Sequence, residues 1–116
     1  MNTSQKFLLA FKKKNEIMRI ERELRETLQS IEAPYKQGDI LKVKQSIHHS
    51  SKIWGKPCRV DSVVAKVVEQ RQLKESYLIA GFLIVATVYR KDGSIGTRRV
   101  SWFEPFEDEG GKNVKL

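Results

Sequence analysis

The spacing of the apolar residues changes at Pro34, and this change constrains the fold more than any other feature of the sequence. Before Pro34, apolar side chains recur in a heptad rhythm that is typical of one face of an amphipathic helix. After it, short runs of β-branched residues are separated by turn residues, as in small antiparallel sheets. The chain is therefore predicted to be α+β, with a long N-terminal amphipathic helix followed by a small, strongly bent antiparallel β-barrel of four to five strands.

The helix is predicted to occupy residues 1–33. Asn2 is a good N-cap residue, and Gln5 three positions later completes a capping-box pattern. At the other end, Pro34 disfavours helical backbone at Ala33, so we expect the helix to close there.

The helix presents an interaction face whose apolar members are Ile17, Ile20, Leu24, Leu28 and Ile31. Because an isolated helix is marginal in water, this face must be covered. Its own barrel, a second copy joined through a short coiled coil, or a foreign partner could cover it. Lys13 and Thr27 stand at heptad core positions and weaken the coiled-coil pattern. All three alternatives stay open, and a homodimer through this helix is one of them.

Four strands are predicted after Pro34, covering Ile40–Val43, Cys58–Val68, Tyr77–Arg90 and Thr97–Phe103. The charged stretch Glu69–Ser76 is predicted to connect the second and third strands, as a hairpin loop or as a single helical turn. Within the second strand, alternation predicts that Val60, Val64 and Val68 share one side of the sheet.

The turns favour a closed sheet. Asp92-Gly93 is the strongest hairpin signal in the chain, and Gly81 suggests a bulge or bend in the longest strand. Four or five short, bent strands in about 70 residues leave exposed edges unless the sheet closes on itself. A small barrel is the expected result.

Two stretches of this predicted barrel, Gly38–Val43 and Gly55–Val60, are similar to the opening strand and to the turn into the second strand of SH3-like small barrels. That group includes KOW and Tudor modules, and the resemblance covers about residues 35–106. It implies a binding module without naming its ligand. The predicted organisation is therefore a helix at 1–33, a barrel module at 34–106 and a flexible tail at 107–116.

The net charge of +8 is concentrated in the predicted barrel. Residues 34–103 hold 13 basic and 5 acidic side chains, whereas residues 1–33 hold 7 and 5, and residues 104–116 hold 2 and 4. Such an excess of positive charge attracts a polyanion or an acidic protein surface.

We predict that basic side chains before and after the Asp92-Gly93 hairpin gather on one face and bind the backbone of DNA or RNA. Trp54 could stack on an exposed base. Trp102 could do the same or belong to the core. The predicted nucleic-acid-binding residues are Lys42, Lys44, Lys52, Lys56, Arg59, Arg90, Lys91, Arg98, Arg99 and Trp54.

No catalytic motif accompanies these basic residues. The sequence has neither a nucleophile elbow nor a phosphate-cradling glycine loop before a helix. His48-His49 lacks neighbouring ligands at metal-binding spacing and is interpreted as a solvated loop. The lone Cys58 is interpreted as a small buried side chain. We therefore expect a non-enzymatic protein without cofactor or metal.

The expected location is the cytoplasm. No signal peptide is recognisable, and the longest apolar run, Tyr77–Tyr89, is shorter than the roughly 20 residues that a membrane span needs. The alternative to nucleic-acid binding is a protein-interaction adaptor or inhibitor, for example one encoded by a phage or mobile element, that binds an acidic surface of a partner protein. Its contacts would come from the helix face or from the loop around Trp54.

Overall fold

A computed structural model of the chain describes residues 1–46, 48–106 and 113–115. It confirms the α+β class, with one long helix followed by a strongly curled antiparallel sheet. The elements are α1 (Thr3–Gln29), β1 (Ile40–Lys42), a 3₁₀ turn (Ser51–Ile53), β2 (Pro57–Gln72), β3 (Glu75–Tyr89), β4 (Ile95–Pro105) and β5 (Asn113–Lys115). The sheet order is β1-β2-β3-β4, and β5 pairs with β3 beyond the end of β4.

The chain divides into two units, residues 1–32 and residues 33–116. Of the predicted flexible tail, residues 107–112 and 116 lie outside the described residues, and the intervening three form β5. Within the described ranges, no helix is long and apolar enough to cross a membrane.

The first unit is helix α1 with its caps. Asn2 Oδ1 accepts a hydrogen bond from the Gln5 N–H, and Gln5 Oε1 accepts one from the Asn2 N–H, both at 2.9 Å. This confirms the predicted capping box. The helix ends at Gln29, earlier than predicted, because Ser30 takes the C-cap position and its hydroxyl donates to the Thr27 carbonyl at 2.6 Å. A serine that bonds to nearby backbone competes with helix continuation, so the end is set before Pro34.

In the second unit, β2 and β3 form a long two-stranded ribbon. Gln72 pairs with Glu75, so the turn between the strands contains only Leu73 and Lys74. The predicted connection over Glu69–Ser76 is therefore wrong, because most of it continues the two strands. Cross-strand pairing, which the local charge pattern does not reveal, determines the structure here.

A β-bulge interrupts β2 at Asp61. Val60 pairs with Ala86 and Ser62 pairs with Val85, so the register shifts by one residue between them. An additional residue reverses which side chains face the core. Val60 is fully buried, whereas Val64 is 47% exposed. The prediction that these two valines share one side of the sheet is therefore wrong.

The core lies on the concave face of the sheet. Trp102 belongs to it, which resolves the alternative that its sequence position left open, and Cys58 is fully buried as expected. The Cys58 thiol donates to the Leu41 carbonyl at 3.4 Å, and burial raises the pKa of this thiol. The buried core cluster consists of Val43, Ile53, Cys58, Ile84, Ala86, Val88, Val100 and Trp102.

Gly81 occupies a regular position in the ladder, facing Lys66 on one side and Pro105 on the other, so the predicted bulge is absent at this residue. A Cβ atom at this position would lie 2.4 Å from the Glu104 carbonyl oxygen and 2.6 Å from Cζ of Phe103. Glycine is required here because β4 approaches β3 closely.

Candidate nucleic-acid interface

The convex face of the sheet, opposite the core, carries a line of basic residues from three strands. Arg59 on β2 and Arg99 on β4 both pair with Thr87 on β3. Directly paired residues of an antiparallel sheet point to the same face. Lys42 on β1 pairs with Pro57, two residues before Arg59, and is therefore its diagonal neighbour on this face. We call Lys42, Arg59 and Arg99 the basic row.

Asp61 organises the centre of the basic row. Its Oδ1 accepts hydrogen bonds from Arg59 Nη2 at 3.1 Å and Nε at 3.3 Å, and its Oδ2 accepts one from the Thr87 hydroxyl at 2.5 Å. The Thr87 hydrogen bond, followed by those from Arg59 and the charges of Arg59 and Arg99, lowers the pKa of the Asp61 carboxyl, against an opposing effect of burial. The ionised carboxylate fixes the guanidinium of Arg59 and offsets part of its charge.

A polar pocket of about 260 Å³ lies beside the basic row. Arg99 belongs to both, so the pocket adjoins the basic row at strand β4. Two hydroxyl side chains, two histidines and two arginines contribute to its wall. The pocket is lined by His48, His49, Ser50, Ile53, Arg98, Arg99, Val100 and Ser101.

His49 joins the loop that follows β1 to strand β4. Its Nδ1 lies 3.1 Å from the Lys44 carbonyl oxygen and its Nε2 lies 2.9 Å from the Ser101 carbonyl oxygen. The imidazole also packs edge-on against Trp102, with ring centroids 6.3 Å apart. A neutral imidazole donates to one of the two carbonyls, and an imidazolium donates to both. The solvated-loop interpretation therefore suits exposed His48 and is wrong for His49.

Trp54 stabilises the same loop after β1 by hydrogen bonds to its backbone. Its indole N–H is shared between the carbonyl oxygens of Ser46 and His49, each 3.1 Å away. The side chain is 36% exposed, so part of the ring remains open to solvent. The residue predicted to stack on a base therefore also has a structural role next to the polar pocket.

The other predicted binding residues lie in connections of the sheet. Lys44, Lys52 and Lys56 belong to the segment between β1 and β2, while Arg90 and Lys91 enter the hairpin between β3 and β4. None of these five residues has a paired register position in the described strands, so the register does not place them on the basic row. The predicted cluster is thus brought together only in part. Lys42, Arg59 and Arg99 form the basic row, and Arg98 shares the lining of the polar pocket with Arg99.

The predicted helix face lies on the first unit. Ile17, Ile20 and Leu24 are exposed and Leu28 is partly buried, all within α1. Ile31 is also exposed, and it lies beyond the end of the helix.

Sequence reasoning missed Asp61 and Thr87 as parts of this surface. Asp61 follows Arg59 by two residues in β2, which is a signal for the ion pair, but Thr87 is 26 residues away and only the sheet register brings it to Asp61. Among the described residues, no group of three histidine, cysteine, aspartate or glutamate side chains could hold a metal ion.

Comparison of the chain with protein-family models, curated proteins and solved structures found no match. The shape of the second unit is a small antiparallel half-barrel, which is compatible with an SH3-like fold. The narrower resemblance to KOW or Tudor modules stays a prediction.

Proposed function

We propose that this protein is a non-enzymatic binding module that holds the phosphate backbone of a nucleic acid on the convex face of its half-barrel. The observation that carries the proposal is the basic row, in which Lys42, Arg59 and Arg99 from three strands share one face. In this proposal the half-barrel serves as a rigid support for the charged side chains.

The spacing of the row suits an extended polyanion. Arg59 and Arg99 stand on β2 and β4, two strand spacings or about 10 Å apart. Long guanidinium side chains from these positions can reach different phosphates of one backbone, and the fork of an arginine pairs well with phosphate oxygens. Asp61 restrains Arg59 and leaves Arg99, which is exposed, as the stronger phosphate contact of the two.

The polar pocket adds a place for a single phosphate or sugar next to the row. Ser50 and Ser101 supply hydroxyl donors, and Arg98 and Arg99 supply charge. Trp54 is hydrogen-bonded to His49, a lining residue of the pocket, so a base attached to a phosphate held there could stack on the exposed part of the indole. These contacts favour single-stranded or end-exposed nucleic acid with little base specificity.

Fluorescence anisotropy with labelled single-stranded and duplex DNA and RNA at several salt concentrations tests the proposal. We expect binding at low salt that weakens steeply as salt rises and depends weakly on base sequence. An absence of binding to all four probes at low salt would exclude this function.

A second candidate function is a protein adaptor, and one observation favours it. Farther along the β2–β3 ribbon, the convex face has an apolar groove of about 480 Å³ whose wall includes Val68, Ile79, Leu83 and Phe103. An apolar groove beside a basic row suits a partner that has an apolar anchor within an acidic surface. Recovery of one defined protein in a pull-down that survives nuclease treatment would support the adaptor over the nucleic-acid-binding module.

A further inference from the structure

Helix α1 exposes its apolar face. Across Thr3–Gln29, all of which the structure describes, no residue is buried, and Ile20 at the centre of the face is 56% exposed. Amphipathic helices in water take most of their stability from covering such a face. We propose that the cover is the α1 helix of a second copy of this chain, and that the two helices pair antiparallel.

The charge along the helix favours this orientation. Residues 3–15 carry four lysines and no acidic side chain, whereas residues 16–29 carry four glutamates and three arginines. A parallel pair would set the lysine-rich half against itself. An antiparallel pair sets it against the half with four glutamates and three arginines, whose net charge is −1, so the like-charge repulsion of the parallel pair is removed.

The heptad positions give the same orientation. With Ile17 at position a, Ile20 and Lys13 fall at position d. A parallel, in-register dimer would face Lys13 with Lys13 in its core, which sets two like charges side by side. An antiparallel register that faces Ile17 with Ile20 of the second copy instead faces Lys13 with Leu24. There the lysine stem can pack on leucine while its ammonium reaches Glu23 of the second copy.

The positions that flank the heptad core also distinguish the antiparallel pair from the parallel pair. The same register places Lys14 beside Glu21 of the second copy, and the two-fold symmetry makes this contact twice. A parallel dimer would place Glu16 beside Glu21 twice. The antiparallel register also brings Glu16 near Glu23, and Lys13 lies next to that pair and offsets its repulsion.

Sedimentation velocity of the full chain without nucleic acid tests the assembly. We expect two chains per particle and a loss of the dimer in Leu24→Asp, with the circular dichroism of the sheet unchanged. A monomer at concentrations up to about 100 μM, where even a weak pair with a free energy near −5.5 kcal/mol would populate the dimer, overturns the proposal. A dimer that persists in Leu24→Asp also overturns it, because its interface would lie elsewhere.

Disulfide trapping tests the orientation. In the proposed register Ala10 faces Thr27 of the second copy, whereas the two Ala10 residues are about 25 Å apart along the axis. An oxidised mixture of Ala10→Cys and Thr27→Cys chains should form the mixed disulfide, and neither variant alone should cross-link. Buried Cys58 is shielded from this reaction. Cross-linking of Ala10→Cys with itself would overturn the antiparallel pairing.

Charge exchange gives a test that does not disturb the apolar face. Lys14→Glu and Glu21→Lys should each weaken the dimer at least about fivefold, since each replaces two attractive contacts by repulsive ones. The double variant restores opposite charges and should recover most of the loss. Lys12→Glu is the matched control, because position 12 points away from the apolar face of the helix. It should change the dissociation constant of the dimer much less. If the double variant does not recover the affinity of the dimer, the proposed register is overturned.

Discussion

The carboxylate of Asp61 accepts a hydrogen bond from the hydroxyl of Thr87 across the β2–β3 pairing, at 2.5 Å. Thr87 is only 5% exposed, so its hydroxyl needs an internal partner, and the bulge in β2 supplies one by turning Asp61 toward it. The same carboxylate holds Arg59. One irregular position in the sheet thus satisfies a buried polar group and orients a residue of the basic row.

The stability of the protein should depend on pH through Asp61. The pKa of this carboxyl in the folded state lies below its ordinary value of 3.8. A group with a lowered folded-state pKa contributes its full stabilisation above the unfolded-state value and loses it as pH falls through the folded-state value. Urea unfolding between pH 6 and pH 2 should therefore show a falling free energy of unfolding in the acidic part of the range.

Two variants separate this contribution from that of the other carboxyl groups. Asp61→Asn removes the titrating group, and Thr87→Val removes the hydroxyl that contributes most to the lowered pKa. Both should be less stable than the parent protein near neutral pH. The difference between each variant and the parent in the free energy of unfolding should narrow as pH falls. A difference that stays constant down to pH 2 would contradict the role given to Asp61.

His49 should contribute to stability far more than its neighbour His48. His49→Phe keeps a ring beside Trp102 but removes the two ring nitrogens that lie within hydrogen-bond distance of the carbonyl oxygens of Lys44 and Ser101. The loss should be about 1–3 kcal/mol in the free energy of unfolding. His48→Phe, at an exposed position, is the control and should stay within about 0.5 kcal/mol of the parent. Equal effects of the two substitutions would contradict the role of His49 in joining the loop after β1 to strand β4.

The parts of the fold that were predicted from the sequence depend on neighbouring residues. Asn2 and Gln5 cap the helix within one turn, and Asp92-Gly93 forms its hairpin between adjacent strands. The parts that were missed depend on distant pairing. The β2–β3 ribbon continues through a charged stretch because the two strands pair, and His49 meets a carbonyl 52 residues away. Local composition has no information about either contact.

Leu73 at the tip of the ribbon has an unfavourable backbone. Its φ angle is +57° and its side chain is 96% exposed, so leucine has a strained conformation without compensating burial. Leu73→Gly should increase the free energy of unfolding by about 0.5–1 kcal/mol, since relief of the left-handed strain exceeds the entropic cost of glycine. Lys74→Gly is the control, because this residue does not have a positive φ, and it should destabilise the protein. Urea denaturation that ranks the two variants in the opposite order would contradict this interpretation.

The proposed nucleic-acid surface makes a prediction about charge position rather than net charge. Arg99→Gln and Lys74→Gln each remove one positive charge, but Arg99 belongs to the basic row and the polar pocket, while Lys74 lies in the turn at the far end of the ribbon. If Arg99 contacts a phosphate, its removal should weaken binding equally across base sequences and reduce the slope of log affinity against log salt by about one.

Lys74→Gln should leave that slope nearly unchanged, because a charge far from the bound phosphates releases no counterion on binding. Anisotropy titrations of both variants with one labelled single strand, at four salt concentrations, make the comparison. Because Arg99 also lowers the pKa of Asp61 through its charge, the folded state of Arg99→Gln is checked by urea denaturation at neutral pH. Equal slopes for the two variants would mean that the nucleic acid responds to the overall charge of the chain, and the basic row would then have no special part in binding.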